Sequence, residues 1–430
     1  MAETSITTFV GPHIEEDDKW SKFVDGGDGL LYGIPYSARR VVKFNPLDKS
    51  LTEIGPDLGD GRYKWRCGVR DNNGNIYCAP FHADHILKIS TNDGTVETLD
   101  DVELPETGGG LWTSGALVAS DNSIYYMPLF ASRIMRLNAD NDTCSSVGDH
   151  LGEKPFKYVG TVVGNDDCVY GIPDLATRIV KYNPADPDTT CTVGEEQAEE
   201  GFDCGNGVLA GDGYIYAVNG AGQVLQIDTT INNYTWILGG DLIYNSDEVG
   251  WGDPVIGDDK CIYWPPRNPN RVLKFDPESQ QLPSLVGDDL GEGDIKWLNG
   301  ALATDGVIYC IPSAKSRVLA IDPFKELTMT LQNNLRQHPQ ELGRLFAKDG
   351  RNETVYGSAV RNFGIEKVFQ LLVEECLPSD KEWADSFSGN SLPLFMVAAS
   401  CENCVASVIY HLLRRNVHDA LSGNDVGASN

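Results

Sequence analysis

Residues 75–90, NIYCAPFHADHILKIS, hold a tyrosine, a cysteine, two histidines and an aspartate. His82 and His85 are the pair that, with a divalent metal, could run a lyase or hydrolase reaction. A second candidate set recurs along the chain. Basic residues stand at Arg40, His85, Arg133, Arg178, Arg271 and Arg317, and aromatics at Trp20, Trp65, Trp112, Tyr158, Trp251 and Trp297, most of them preceded by lysine. Guanidinium groups form forked hydrogen bonds to carboxylates and stack on aromatic rings, so this set, with Trp65 and Trp297 foremost among the aromatics, suits an acidic peptide or another carboxylated ligand. A third candidate, Cys401 and Cys404, forms a CxxC that could be redox-active or half a zinc site. Zinc takes four ligands and no second pair is suitably spaced, which favours ordinary helix thiols. The sequence contains no HExxH, GxSxG or Walker loop and no complete calcium loop, so no catalytic residue, metal ligand or cofactor is assigned.

A repeat positions these residues. A hydrophobe-Tyr pair returns in LYGIP, IYCAP, IYYMP, VYGIP, IYAVN, IYWPP and IYCIP, at Tyr32, Tyr77, Tyr125, Tyr170, Tyr216, Tyr263 and Tyr309, with successive gaps of 45, 48, 45, 46, 47 and 46 residues. A regular period of this length is the mark of a repeat architecture. After each tyrosine comes a second apolar run, such as RVVKFNP, HILKIS or RVLKFDP, alternating and rich in β-branched residues; a short strand precedes each tyrosine and a more variable one closes the unit. Four antiparallel strands per period is the content of one β-propeller blade. The seventh unit lacks its fourth strand, while SITTFVG stands unpaired ahead of the first. Donating that strand to the last blade removes the exposed edges of an open ring, which predicts a mainly β fold, a seven-bladed propeller over residues 5–322 closed by its first strand.

Tyr77, Cys78 and Pro80 are therefore scaffold positions, whereas His82 and His85 are variations of one blade. Because the strands alternate in direction, the loop between second and third strands shares a face with the loop leading into the next blade, and these two loops build an entrance carrying the basic and aromatic sets. Each arginine could instead pair with an acidic loop such as GPDLGDGRYKW, and each tryptophan fill the gap between blades. The fifth blade departs from the pattern: its loop VNGAGQ lacks the proline and the arginine, and Cys204 replaces the aromatic. Such departures mark either specificity or tolerated drift.

With 63 acidic against 34 basic side chains the net charge is −29, which argues against nucleic-acid and membrane partners. The first twenty residues have no basic and apolar leader pattern, and no run approaches the roughly 18 apolar residues of a membrane span, so a cytoplasmic protein is predicted. Eleven scattered cysteines fit free thiols better than a disulfide framework, and the sequons at Asn141, Asn233 and Asn352 would matter only after secretion.

Beyond residue 322 the spacing turns helical. In GIEKVFQLLVEECLP, Ile365, Val368, Phe369, Leu372, Val373 and Cys376 fall on one helix face. SLPLFMVAASCENCVASVIYHLLRRN resembles an ankyrin repeat: Leu392, Pro393 and Leu394 match its Pro-Leu opening, Ala398 and Ala399 its first-helix alanines, and VIYHLLRRN its second helix. A preceding copy has Ala359 and Leu371-Leu372 in matching places, 41 residues upstream against the family's usual 33. The resemblance implies an α-helical ankyrin-like domain over 323–422. The ring itself resembles kelch-like and streptogramin-lyase-like seven-bladed propellers in architecture. Together these readings predict a non-enzymatic scaffold that binds a protein or acidic peptide on the entrance face and through the helical tail. The alternative is a propeller lyase or hydrolase working through His82 or His85 and a divalent metal.

Overall fold

The computed structural model describes residues 5–14, 19–187, 190–194, 204–229, 235–238, 250–279, 282–293, 295–325, 359–360 and 368. The chain forms two units, Ser5–Asp322 and Met1–Thr4 with Pro323–Asn430. In the second, residues 323–325, 359–360 and 368 are helical. The rest of the expected ankyrin-like extension lies outside the described residues. Among the described residues no helix is long and apolar enough to cross a membrane.

Ser5–Asp322 is a ring of seven four-stranded antiparallel sheets, six built from consecutive strands. The seventh joins Trp297–Leu302, Ile308–Pro312 and Val318–Ile321 to Thr7–Val10, with Thr7 opposite Ile321 and Val10 opposite Val318. Thr7 also accepts a hydrogen bond from the Asp288 amide at its Oγ1, 3.0 Å away, which ties the closing strand to blade six.

The core consists of wedges between blades. One apolar cluster joins Val24, Ile34 and Val41 of blade one to Trp65, Ile76 and Leu87 of blade two. Another joins Tyr263 and Val272 of blade six to Trp297 and Ile308 of blade seven. Second strands covered by neighbours on both faces are buried along their whole length, as in Leu31–Pro35, Val169–Pro173 and Ile308–Pro312. The outer fourth strands, such as Thr143–Val147, are largely exposed, which explains their variable sequence.

The repeat tyrosine secures the hairpin before it. Tyr32, Tyr125, Tyr170, Tyr216, Tyr263 and Tyr309 each donate a hydroxyl hydrogen bond of 2.7–2.9 Å to an aspartate four residues earlier. The other oxygen of that aspartate accepts an amide in the turn, as Asp166 does from Cys168 at 3.2 Å. A β-strand cation often joins: Lys181 lies 2.7 Å from Asp166. Burial raises the Asp166 pKa, but hydrogen bonds from Lys181 and Tyr170 outweigh it and hold the carboxyl below its usual value. Tyr77 uses Asp142 of the next blade instead, at 2.6 Å.

Deleting residues 1–12 removes the closing strand, and scanning calorimetry should then show a lower and broader melting transition for the propeller. The buried tyrosines and thiols make stability fall in alkali. Burial, with the neighbouring aspartate, raises the pKa of Tyr32, Tyr125, Tyr170, Tyr216 and Tyr309. Burial also lifts the Cys67 and Cys168 thiols to about 11. The unfolded chain ionises these groups near about 8.5 for Cys and about 10 for Tyr while the folded chain keeps their protons. Their stabilisation is therefore complete below those values and is lost as pH rises toward the folded pKa values. Melting temperature should fall progressively above about pH 8.5. Tyr170→Phe should flatten that alkaline fall while costing about 1 kcal/mol near neutrality through the lost hydrogen bond.

Candidate functional site

A similar pairing stands at the head of every blade. In five blades the residue leading the first strand pairs with the residue ending the second: Trp20 with Pro35, Trp112 with Pro128, Tyr158 with Pro173, Cys204 with Asn219 and Trp297 with Pro312. In blades two and six the leading residue stands ahead of the strand in an isolated bridge, Trp65 with Pro80 and Trp251 with Pro266. The register then slips by one residue, as between Trp20↔Pro35 and Phe23↔Gly33. A bulge of this kind re-aims the side chains beside it. The residue after the leading one lines one cavity of about 250 Å³ in all seven blades, as Ser21, Arg66, Thr113, Val159, Gly205, Gly252 and Leu298, and Ser114, Asn206 and Asp253 one position further on line it as well. Leu129, Asp174 and Arg267 from the loops between second and third strands, and Phe156 from a loop between blades, complete its wall on the entrance face.

The leading aromatics themselves are buried. Trp65 is 3% exposed and Trp297 fully enclosed. Trp20, Trp65, Trp251 and Trp297 donate their indole N–H to the carbonyl oxygen of Arg40, His85, Arg271 and Arg317 at 3.0, 2.9, 3.3 and 3.2 Å. Three arginine side chains of the basic set run toward the outer strand. Arg40 donates to the Gly55 carbonyl and Arg133 to that of Gly148, and Arg317 Nη2 lies 3.3 Å from the Gly11 carbonyl oxygen. These glycines end the fourth strands with φ of 76°, 72° and 74°, a left-handed turn that glycine adopts without steric cost. Arg178 and Arg271 hold the same sequence position in blades four and six. His85 Nε2 lies 4.0 Å from Asp100 Oδ1. The nine residues of the sequence-based set belong to six different blades, and none of them lines the cavity described above.

The lysine ahead of the aromatic joins neighbouring blades. The amide of Lys64 donates to the Tyr36 carbonyl of the preceding blade at 2.7 Å, and its carbonyl accepts the Phe81 amide at 2.8 Å. Its ammonium folds back onto the carbonyls of Gly59 and Gly61 at 3.2 and 2.8 Å. Lys296 repeats this with Asn268 and Gly293 at 2.6 and 3.0 Å. Burial lowers the pKa of Lys64 and Lys157.

The latched loops expose an arc of rings. Tyr36 packs on Tyr63 with centroids 4.9 Å apart and on Phe81 at 6.2 Å; His82 lies 4.8 Å from Phe81, and Phe130 meets Phe156 edge-on at 4.7 Å. Gly110, at φ 73°, sits where an added Cβ would be 3.0 Å from Phe130 and 3.6 Å from Phe81, so a glycine makes the arc continuous. Tyr63 and Phe156 are 39% and 45% exposed. The arc meets the cavity twice, at Phe156 in its wall and at Arg66, whose guanidinium carbon lies 5.8 Å from the Phe81 ring centre. Opposite, the blade-five loop closes tightly through Asn219, whose side chain pairs with Gln223 at 2.9 Å, and it adds no cavity wall.

An ion pair beside the cavity spans blade seven. Lys22 Nζ of blade one lies 3.2 Å from Asp253 Oδ2 of blade six, with blade seven between them. The sequence-based set missed Lys22, Arg66, Asp253 and Arg267. What marks most of them is their place one or two residues after the repeat aromatic, where the blades carry different residue types.

No protein-family model matches the sequence, and no curated protein sequence matches it. Among solved structures the protein is similar to a streptogramin B lyase, with a TM-score of 0.58 and 14% identity over 73% of this chain and 96% of that one. It is also similar to the virginiamycin B lyase of Staphylococcus aureus in a catalytically inactive form with quinupristin, at 0.56 and 12% over 73% and 98%. Hydrazine synthase of Kuenenia stuttgartiensis gives 0.52 and 12% over 72% and 97%. At these identities the likeness is one of fold, and the fold is the β-propeller.

Proposed function

We propose that the entrance face of the propeller is a binding surface for a protein or peptide segment and performs no covalent chemistry on it. The observation that carries this reading is the continuity of the exposed aromatic arc with the central cavity through Arg66 and Phe156. Pockets for whole drug-sized ligands span about 300–1,000 Å³. A cavity of about 250 Å³ suits one side chain or peptide end, with the remainder of the ligand lying across the arc. The ankyrin-like resemblance of residues 323–422 adds a second protein-binding element to this proposal. A cytoplasmic location fits the eight described cysteines, all of them free thiols.

The lyase or hydrolase alternative requires histidine beside a divalent metal. Among the described residues no histidine lines the cavity, and His82 packs among the rings of Tyr63 and Phe81. Among the same residues no three His, Cys, Asp or Glu side chains are grouped to hold a metal ion. The donors do not fit that site, and no reaction step is derived from it.

Panning a random peptide library on the full-length protein is expected to enrich sequences containing an aromatic or large apolar residue. Phe156→Ser and Phe81→Ala should weaken the selected peptides at least tenfold, or about 1.4 kcal/mol. Arg133→Ala and Arg317→Ala, which remove links to glycine carbonyls, should lower stability by up to about 1 kcal/mol each and leave peptide affinity unchanged. Enrichment of no sequence, or selected peptides indifferent to both ring substitutions, would overturn the proposal.

A further inference from the structure

Resting on that reading, we infer that the central cavity is a carboxylate site: one anionic group of the bound peptide enters it, Arg66 is the anchor, and the Lys22–Asp253 pair tunes its affinity. The cavity wall carries Arg66 and Arg267 against Asp174 and Asp253. Asp253 already faces a cation, Lys22, 3.2 Å away. With Lys22 counted, positive charge exceeds negative at the centre of a protein whose net charge is −29. That local reversal of sign is what an anionic group entering a narrow cavity requires, because low-dielectric walls strengthen the attraction. A cationic group finds the opposite situation, since one of the two carboxylates is engaged by Lys22.

The neutral groups of the wall are largely committed to holding blades together. Thr113 Oγ1 donates to the Val159 carbonyl at 3.1 Å, Ser21 Oγ to the Trp65 carbonyl at 3.4 Å, and Ser114 Oγ accepts the Thr161 amide at 3.2 Å. Recognition therefore falls to the Arg66 guanidinium, whose planar fork matches a carboxylate. Arg66 is placed for it. The Trp65–Pro80 bridge fixes the backbone beside it, and the Phe81 ring supports its guanidinium at 5.8 Å. The residue of the peptide next to the carboxylate then lies over Phe81, Phe130 and Phe156. The carboxylate could come from an Asp or Glu side chain or from the free C-terminus of the peptide; both present the same fork of two oxygens.

Asp253 competes with such a ligand for Lys22. Replacing it by asparagine releases one ammonium toward the cavity and removes one repelling charge, so affinity for an anion should rise, an outcome that misfolding cannot produce.

The test titrates the full-length protein by calorimetry with three acetylated peptides: Gly-Phe-Glu-Gly amide, Gly-Phe-Gln-Gly amide, and Gly-Gly-Phe with a free C-terminus. The Glu peptide, the free-C-terminus peptide, or both should bind at least tenfold more tightly than the Gln peptide, and which of them does so identifies the source of the carboxylate. Arg66→Gln should erase the advantage, Arg66→Lys should retain part of it, and Asp253→Asn should increase affinity at least threefold. Equal binding of all three peptides, or an advantage that survives Arg66→Gln, overturns the carboxylate site. If the peptides bind equally and all are lost in Phe156→Ser, the binding face stands and only the cavity assignment fails. Absence of binding by every peptide overturns the carboxylate site while leaving the library-panning result to judge the face.

Discussion

The ring depends on a bulky aromatic side chain wedged between blades at the head of six of the seven blades, with Cys204 in that place in the fifth. Removing a buried Trp or Phe ring costs about 3–5 kcal/mol, several times the roughly 1 kcal/mol of its indole hydrogen bond. Burial therefore supplies the stabilisation, and the N–H contact to the carbonyl of Arg40, His85, Arg271 or Arg317 fixes the ring's orientation. Holding the side chain between two sheets while its backbone pairs with the end of the second strand forces the one-residue bulge that follows. The central cavity lies beside that wedge, since the residue next to it lines the cavity in every blade.

This arrangement separates residues that repeat from residues that vary. The tyrosine-aspartate contact, the folded-back lysine and the arginine clamp on a glycine carbonyl recur because each solves the same local problem in blade after blade. The position after the wedge differs from blade to blade, as Ser, Arg, Thr, Val, Gly, Gly and Leu. Its freedom is partial, since Ser21 and Thr113 bond to carbonyls of the neighbouring blade and a Cβ at Gly252 would meet the Leu298 carbonyl at 2.3 Å. Cys204 shows the limit of that freedom. It stays buried between blades four and five although it fills less space than a tryptophan.

The blade count, the closure by Thr7–Val10 and the shared face of the two loop families were legible in the sequence, because a tyrosine period near 46 residues leaves little freedom in strand order. The direction of the arginine side chains was not. The partners of Arg40, Arg133 and Arg317 are backbone carbonyls of Gly55, Gly148 and Gly11, and a carbonyl has no signature in sequence. The cavity residues were hidden for a different reason. In an exposed sheet, period-two alternation separates inward from outward residues, but here neighbours cover both faces of the inner strands and Leu31–Pro35 is buried throughout. A bulge then breaks what alternation remains, so Arg66 and Lys22 carry no periodic mark. The aromatic arc was likewise obscured, because Tyr63, Phe81 and Phe130 come from three different loops and meet only around Gly110 and Tyr36.

The same separation explains why similarity of the ring to lyase structures says little about chemistry. A fold of this kind fixes where seven side chains point and leaves their identity open. In this protein those seven include one guanidinium and no imidazole, and the loops above add Arg267, Asp174 and an exposed phenylalanine. Cations set beside aromatic rings in a small, partly enclosed space favour recognition of an anionic and partly apolar partner. The acidic exterior would repel such a partner at long range, although salt screens that repulsion over about 8 Å. On the proposed reading, affinity for it arises at contact, from Arg66 and the aromatic rings beside the cavity.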